Sequence, residues 1–557
     1  MQKNGWLLLI FLLLPHVAIA QTGNCEAALA EAYLDAGNVR ARILNNGGLF
    51  WRGSPHVYEV PKGSGLHANW AAGIWVGGMI NNSLRVAASR YGPWEFWAGP
   101  LDEAGNPPSD CKPYDQIWEI RTEDIQTFID GNGISNNLKN WPWQLGAPIV
   151  DGDGNPDNYN LEGGDLPELF GDQRLWWIMN DRGNVHQATD SDPIGLEVHA
   201  SAHAFDHPGF ISNTTFYSYR LINKNTAPFE HAFFGFFKDF DLGNFDDDYV
   251  GSDSLLHLSY GYNGDNDDEG GEGYGTAPPA IGFTFLDAES APPDNIDNDR
   301  DGEIDEEDEK IGAYGMLFYH GGGAVSGDPT TGRDYYRYMQ SHWKDNKPLY
   351  KGYMGYDWGE FSDTFPTETT RFSYSGDPTT KDFWTEFNVN GNGLAHAPAN
   401  RRSVFSSGPY TIASFDTVEV RLAIVWSRGK DNLDSVAELK KDVKSIRDFS
   451  DSFYSPRTYD KTRGNEITPS FTLGFDQNFP NPFTQSTTLR YSLPQAMQVR
   501  LAVYDMLGRE VAILVDAQQE AGAYTAAFDA GDLPAGIYLA RIDLDFLRFT
   551  KRMVLLR

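Results

Sequence analysis

The amino-acid sequence predicts a mainly β protein: one or two β-sandwich units with long acidic loops and one closing helix, followed by a small C-terminal β-sandwich. Three observations predict this fold class. The 557-residue chain is rich in glycine (57), proline (31) and aromatic residues (14%), a composition typical of turn-rich β proteins. Short runs of β-branched and aromatic residues recur between turn residues. No repeat of fixed period indicates a solenoid or a propeller.

The strands of the body are predicted from such runs, each bounded by Gly, Asn, Asp or Pro. They are residues 39–44, 73–76, 215–222, 231–237, 281–285, 315–319 and 417–426. A turn at Asn223-Lys224-Asn225 predicts that strand 215–222 pairs with strand 231–237. The body spans residues 21–454, with a split near residue 190 as one option for two sandwiches.

One helix closes the body. Val436, Leu439, Val443 and Ile446 recur at helical spacing, and Asp434-Ser435 is the predicted cap. Residues 455–470 are polar and without periodicity, which indicates a linker.

The first twenty residues predict a secretory signal peptide. Lys3 supplies the positive charge, residues 6–14 are apolar, and Ala18-Ile19-Ala20 is a cleavage site. No later stretch reaches eighteen consecutive apolar residues, so we expect no integral membrane segment after cleavage. Cys25 and Cys111 both follow the cleavage site and would meet an oxidising compartment, which favours one disulfide over two free thiols.

The charge of the chain is strongly negative and uneven. The formal net charge of −34 argues against nucleic acid and anionic lipid as partners. Residues 239–309 hold 23 acidic side chains and one basic side chain. Because like charges at this density repel one another, we expect cations among them.

The first-choice cation site is the loop 297–308, which predicts Ca²⁺ against the alternative of a solvated acidic loop. Acidic residues stand at positions 1, 3, 5, 7, 9 and 12 of a twelve-residue pattern, and Gly302 at position 6 allows the sharp turn. The six residues are Asp297, Asp299, Asp301, Glu303, Asp305 and Asp308.

Two further acidic stretches are weaker candidates for Ca²⁺. The second choice follows a predicted strand, so its carboxylates would converge at the strand end; it comprises Asp239, Asp241, Asp246 and Asp248. The third lies in residues 151–157, where oxygen ligands alternate but Pro156 stands where glycine is wanted.

No catalytic motif is present. The sequence lacks HExxH, GxSxG and the phosphate-binding P-loop. His199, His203 and His207 are spaced by four, but residues 194–205 alternate like a strand, so packing is favoured over zinc binding. Enzymatic activity stays undecided, with none favoured.

The alternative function is carbohydrate binding or carbohydrate-active catalysis. Acidic pairs for glycoside cleavage meet only in the folded chain. Tryptophans that could stack on sugars are Trp70, Trp75, Trp94, Trp97, Trp141, Trp143, Trp176 and Trp177, although most are expected in the core.

Residues 471–557 predict a separate domain. Short alternating segments lie at 487–493, 499–504, 511–515, 524–528, 537–542 and 549–556, with turns between them. This spacing is typical of a small immunoglobulin-like sandwich. Its nine acidic and eight basic residues nearly cancel, unlike those of the body.

This tail resembles the type A C-terminal sorting domain of the type IX secretion system. The matching segments are Asn478-Phe479-Pro480-Asn481-Pro482-Phe483, residues 503–511, Leu533-Pro534-Ala535-Gly536-Ile537-Tyr538 and residues 551–557. The resemblance implies export through the periplasm of a Bacteroidota-type bacterium and recognition by the secretion machinery. It also implies cleavage of the tail, with the body released or held on surface glycolipid.

Segments of the body are similar to large uncharacterised secreted proteins that share this tail. They are residues 45–51, 60–65, 239–253 and 401–409. We therefore expect a secreted or cell-surface protein, non-catalytic and Ca²⁺-stabilised, that acts in structure, adhesion or binding. Surface glycolipid or polysaccharide is the expected partner outside the cell.

Overall fold

In the computed structural model, the described residues are 23–286, 311–319, 321–352, 355, 368–380, 384–386, 397–454, 474–475, 478, 480–493, 497–506, 509–520, 522–531, 533–544 and 547–556. The predicted signal peptide 1–20, the first-choice loop 297–308 and the linker 455–470 lie outside them.

The strands of the body are short and connected by long loops. They are β1 (Glu31–Leu34), β2 (Arg40–Leu44), β3 (Gly48–Leu49), β4 (Tyr58–Glu59), β5 (Ala71–Ile80), β6 (Ser83–Ala88), β7 (Trp97–Ala98), β8 (Trp118–Arg121), β9 (Ile149–Val150), β10 (Leu166–Pro167), β11 (Gln173–Asn180), β12 (Leu196–Ala204), β13 (Thr214–Asn223), β14 (Phe229–Phe240), β15 (Asp248–Asp253), β16 (Leu258–Asn263), β17 (Asp267–Asp268), β18 (Gly275–Thr276), β19 (Ala280–Leu286), β20 (Ala313–Tyr319), β21 (Leu349–Tyr350), β22 (Thr369–Thr370), β23 (Arg401–Ile412) and β24 (Thr417–Ser427).

Four α-helices accompany these strands in the described part of the chain: α1 (Thr122–Ile129), α2 (Asn136–Lys139), α3 (Gly332–Met339) and α4 (Asn432–Tyr454). Short 3₁₀ turns occupy Lys112–Tyr114, Trp143–Leu145, Leu161–Gly163 and Phe210–Asn213.

Two antiparallel sheets, each with nine strands among the described residues, form the body. The first has the order β1-β2-β3-β5-β14-β23-β20, with β4 on β2 and β6 on β5. The second has the order β15-β16-β19-β24-β13-β12-β11-β7, with β8 on β11. The mainly β fold class is thereby confirmed. Strands on either side of residue 190 lie in the same sheet, since β11 pairs with β12, so the split considered there is not seen.

An aromatic core joins the two sheets face to face. Phe234 of β14 lies 5.4 Å from Tyr219 of β13 between ring centroids, and Phe236 lies 5.9 Å from Phe283 of β19. These rings belong to one continuous buried cluster drawn from both sheets. Helix α3 covers the outer face of the first sheet, and α4 covers the second.

The predicted hairpin between 215–222 and 231–237 is wrong. Both strands exist, but β13 pairs with β12 and β24, whereas β14 pairs with β5 and β23 in the opposite sheet. The side-chain amide of Asn223 donates to the carbonyl oxygens of Ala227 (2.9 Å) and Ile412 (3.0 Å). These bonds hold the chain where it crosses between sheets, a path that local turn residues do not reveal.

Helix α4 confirms the predicted apolar face, because Val436, Leu439, Val443 and Ile446 are all fully buried. Its predicted cap is wrong. The side chain of Asp431 accepts a hydrogen bond from the backbone N–H of Asp434 at 2.8 Å, which places the cap three residues earlier.

The C-terminal domain contains β25 (Gly474–Phe475), β26 (Ser486–Leu493), β27 (Met497–Asp505), β28 (Glu510–Gln519), β29 (Gly522–Asp529), β30 (Gly536–Leu544) and β31 (Leu547–Leu555). They form a three-stranded sheet, β25-β26-β29, and a four-stranded sheet, β28-β27-β30-β31. The strands predicted for this domain are confirmed, and Leu489, Val499, Leu501 and Ile542 are among its fully buried residues.

A lysine lies inside the aromatic core of the body. Lys238 of β14 is fully buried, and its Nζ has no hydrogen-bond partner among the described residues. The Nζ atom lies 5.3, 4.8 and 4.9 Å from the ring centroids of Phe240, Phe283 and Phe405. Burial holds the pKa of Lys238 well below its usual value, because removal from water disfavours the charged ammonium form.

We predict that Lys238→Met raises the free energy of unfolding at pH 7. The substitution removes an amine whose charged form is disfavoured by burial, so the folded variant does not bear the cost of holding that group in the core. The unfolded chain binds the proton more tightly, so wild-type stability rises with pH up to about 10.4, the pKa of lysine in unfolded chains. The advantage of the variant should therefore shrink as pH rises, measured by denaturant unfolding at several pH values.

The control is Lys112→Met, at an exposed lysine, which should show no such trend. A stability difference between Lys238→Met and wild type that does not change with pH would contradict the prediction.

Candidate functional site

Buried carboxylates gather where β14 ends and β15 begins. Asp241 directly follows β14 and is 6% exposed, and Asp248 opens β15 and is 0% exposed. The Oδ1 atoms of Asp241, Asp247 and Asp248 are buried and accept no hydrogen bond within the described residues. Asp248 Oδ2 accepts one bond, from the backbone N–H of Leu242 at 3.1 Å. Negative charge is thus buried here with few donors to compensate it.

Asp268 of β17 brings a fourth carboxylate to the group. It accepts hydrogen bonds from the backbone N–H groups of Asn244 (3.0 Å) and Tyr274 (2.7 Å). Gly243 permits this approach: its φ is +77°, and a Cβ atom there would lie 2.0 Å from Asp268 Oδ2. The loop 241–247 is therefore folded closely around Asp268.

Burial and mutual repulsion raise the pKa values of the group. The pKa of Asp241 rises to about 9, through burial and then the charge of Asp239. The pKa of Asp248 rises well above its usual value, through burial and the charges of Asp241, Asp247 and Asp268. Burial also raises the pKa of Asp247 to about 6. Such carboxylates need either a proton or a cation.

Two of the four second-choice residues lie in this group. Asp239 does not converge with them: it accepts hydrogen bonds from the Tyr91 hydroxyl (2.5 Å) and Arg402 Nε (3.4 Å) on the outer face of the first sheet. Asp246 is exposed. Sequence reasoning did not include Asp247 or Asp268. Asp247 stands inside the acidic run, but Asp268 is distant in sequence and reaches the group because the loop 241–247 folds around it.

A different arrangement occurs in the third acidic stretch. In the described residues, Asp151, Asp153 and Asp165 form a group whose ligand oxygens all lie within 4.8 Å of one another. Asp165 Oδ1 accepts a hydrogen bond from the backbone N–H of Gly152 at 2.9 Å, and its Oδ2 accepts one from the backbone N–H of Asn160 at 2.6 Å. Asp153 Oδ2 accepts the side-chain amide of Asn160 at 3.0 Å. Backbone and amide donors therefore already compensate this loop.

The three histidines do not meet. His199 and His203 lie on β12, and His199 Nε2 is 3.0 Å from Glu197 Oε1. His203 is 2% exposed, and burial lowers its pKa well below the usual value. His207 lies beyond the strand, with its Nδ1 3.1 Å from Asp172 Oδ2.

Most of the eight candidate tryptophans are core residues. Those buried are Trp75, Trp97, Trp141, Trp176 and Trp177. One surface cavity, of about 450 Å³, is lined by residues that include Asp253, Asp377 and Lys440. Another, of about 520 Å³, is lined by residues of 84–85, 189–192 and 331–333. No aromatic residue lines either cavity, so neither offers a sugar-stacking platform.

Cys25 and Cys111 form a disulfide, with their Cα atoms 5.5 Å apart. Both cysteines pack with Trp97 in a small buried cluster. The bond ties the start of the described chain to a loop 86 residues further on.

Comparison with known proteins identifies the C-terminal domain. Residues 477–556 match the family described as the secretion system C-terminal sorting domain. The chain ends in a type IX secretion sorting domain. The match confirms the resemblance seen in the sequence and covers six of the seven strands of the tail.

The sorting domain indicates export by the type IX system, a secreted or cell-surface location, and interaction with the secretion machinery. Within the described residues, no helix is both long enough and apolar enough to cross a membrane.

The other comparisons add little. No curated protein matches the chain. A solved structure titled a polysaccharide lyase is aligned over 87% of this chain and 46% of its own length, at 7% identity. The chain thus spans less than half of that protein, and a TM-score of 0.17 carries no argument about fold or activity.

We predict that Asp165→Ala destabilises the body whether or not Ca²⁺ is present. The substitution leaves the N–H groups of Gly152 and Asn160 without their acceptor, at a cost of about 1–3 kcal/mol. Denaturant unfolding in Ca²⁺ and in chelator should give the same loss. The control, Asp157→Ala, removes an exposed carboxylate nearby and should change little. A loss seen only in Ca²⁺ would indicate that this loop binds a cation.

Proposed function

We propose that the exported body is a non-catalytic surface or matrix protein, active in adhesion, envelope structure or binding, whose fold is stabilised by Ca²⁺. The observation that carries the proposal is Asp248, a fully buried carboxylate with an unpartnered Oδ1. The Oδ1 atoms of Asp241, which is buried, and of Asp247, which is half-buried, also accept no hydrogen bond within the described residues. A cation at this position would meet the unpartnered Oδ1 of Asp248.

The donor set fits a hard cation. Ca²⁺ takes about six to eight oxygen ligands, from carboxylates, carbonyl groups and water, in flexible geometry. The carboxylates of Asp241, Asp247 and Asp248 supply the charge, and no basic side chain within the described residues hydrogen-bonds to any of them. The first-choice loop 297–308 remains a second proposed Ca²⁺ site.

The position of the group gives the cation a structural role. Asp241 follows a strand of the first sheet, and Asp248 begins a strand of the second. A cation held between them would tie the two sheets together at one end of the sandwich. Because it would bind the folded state alone, it would raise the free energy of unfolding.

A non-catalytic role agrees with a sandwich interior filled by aromatic side chains and with cavities that no aromatic residue lines. Binding of surface glycolipid or polysaccharide after export belongs to the same proposal.

We predict that chelation with EDTA lowers the melting temperature of the full chain, and that Asp248→Asn removes most of this response. At a Ca²⁺ concentration of about 100 times the Kd, the cation contributes about 2.7 kcal/mol. In chelator the variant should equal or exceed wild type, because asparagine relieves the repulsion between buried charges. In Ca²⁺ the order should reverse. Differential scanning calorimetry measures the melting temperatures of wild type and variant in each of the two buffers.

The matched control is Asp267→Asn, which removes the same charge at an exposed neighbouring position and should keep the full EDTA response. Wild type insensitive to EDTA would contradict Ca²⁺ stabilisation. An EDTA response lost in Asp299→Asn and kept in Asp248→Asn would place the cation in the loop 297–308 instead.

A further inference from the structure

One edge of the four-stranded sheet in the sorting domain is covered. The segment before β26 lies along β31: the N–H of Phe483 donates to the carbonyl of Val554 at 2.9 Å, and the N–H of Leu556 donates to the carbonyl of Phe483 at 2.7 Å. Asn481 adds two bonds, accepting from the Val554 N–H and donating to the Arg552 carbonyl. The Pro-Asn turn of the sequence motif thus closes this edge.

The opposite edge, β28, is open. Within the described residues it pairs with β27 and with no other strand. In its apolar run 511–515, Ile513 is 51% exposed, whereas Val511, Ala512, Leu514 and Val515 are partly buried against the core of the domain. Met506, at the turn leading into β28, is 63% exposed. Edge strands of soluble proteins are commonly protected by lysine or proline, and β28 contains neither.

The edge of the other sheet is different. Strand β29 has eight residues, and its exposed side chains include Thr525, Ala527 and Asp529. A polar and small-residue edge of this kind offers little apolar area. Among these edges, β28 alone combines an unpaired strand edge, within the described residues, with a large exposed apolar side chain, Ile513.

Two irregularities argue against a second copy as the occupant of β28. The register with β27 shifts between Leu501 and Ala502, and again between Val503 and Tyr504. Bulges of this kind twist an edge strand, and a second copy would bring the same two bulges, so regular pairing between two identical β28 edges is disfavoured. A sorting domain is, however, recognised by another protein, and the covered β31 edge cannot serve that purpose.

We propose that β28 is the docking edge of the sorting domain, and that an extended strand of the secretion machinery adds to it, with an apolar side chain in contact with Ile513. Main-chain hydrogen bonds would supply affinity, and the apolar contacts would supply specificity. This inference is independent of the Ca²⁺ proposal, because it concerns residues 477–556 alone.

The test is export of the full chain from a type IX-secreting bacterium. Ile513→Lys should lower the exported fraction by about ten-fold, which is the change in binding that a loss of about 1.4 kcal/mol produces. The exported fraction is the amount of protein in the medium and on the cell surface, compared with the amount in the periplasm. The control, Thr525→Lys, adds the same charge at an exposed position of β29 and should be exported normally.

Normal export of Ile513→Lys would overturn the proposal, as would an equal defect in both variants. If the retained Ile513→Lys protein is protease-sensitive, misfolding could explain its retention, and the milder variant Ile513→Thr is used instead. An Ile513→Thr protein that is folded but retained supports the docking edge, and one that is exported normally refutes it. Light scattering then measures the oligomeric state of wild type and variant. A dimer in wild type that becomes a monomer in Ile513→Lys, with export unchanged, would make β28 a self-association edge.

Discussion

The structure of the body depends on one constraint: a carboxylate buried in or beside the aromatic core must be compensated there. Transfer of a carboxylate from water into a protein interior costs several kcal/mol unless donors or an opposite charge meet it. Three buried carboxylates show how the fold usually meets this cost. Asp181 accepts the backbone N–H groups of Ile194, Gly195 and Leu196. Glu386 accepts hydrogen bonds from Arg401 and from the N–H of Val250.

Glu95 meets the same cost with the N–H groups of Ala88, Ala188 and Thr189. Against this pattern the group at the end of β14 stands out. Asp241 and Asp248 are as buried as these residues, yet each keeps an Oδ1 without a donor. The fold compensates carboxylates elsewhere with its own N–H groups, so the lack of donors here favours a ligand from outside the chain.

The sequence predicts strands well and their partners poorly, for a physical reason. Alternation and β-branched content are local, so most of β2, β13, β14, β19, β20 and β24 is found within a few residues of its bounds. Pairing is not local. The run after Asn223 looks like a hairpin return, but the side chain of Asn223 binds carbonyl groups near residue 412 and the chain crosses to the other sheet. The cap of α4 fails similarly, because both Asp431 and Asp434 are suitable cap residues and only geometry selects between them.

The candidate site shows the same division. The positions of Asp241 and Asp248 can be predicted from the sequence, because acidic residues that come just after a predicted strand are expected to converge at the end of that strand. Asp268 cannot, because it reaches the site through the fold of a loop around Gly243. The tail is the most predictable part, since its strands follow one another with short turns and its motif segments lie in those turns and at the covered edge.

The surfaces of the body and of the tail differ in charge and polarity. The body carries a large negative charge, which keeps a protein soluble and disfavours self-association. The tail is nearly neutral and, within the described residues, leaves one strand edge unpaired with Ile513 exposed, a feature that costs solubility. A domain that acts by being recognised needs such a surface, whereas a body that functions outside the cell gains from lacking one. The acidic composition of the body suits a protein that is exported, and the open edge of the tail suits a domain that is recognised during export.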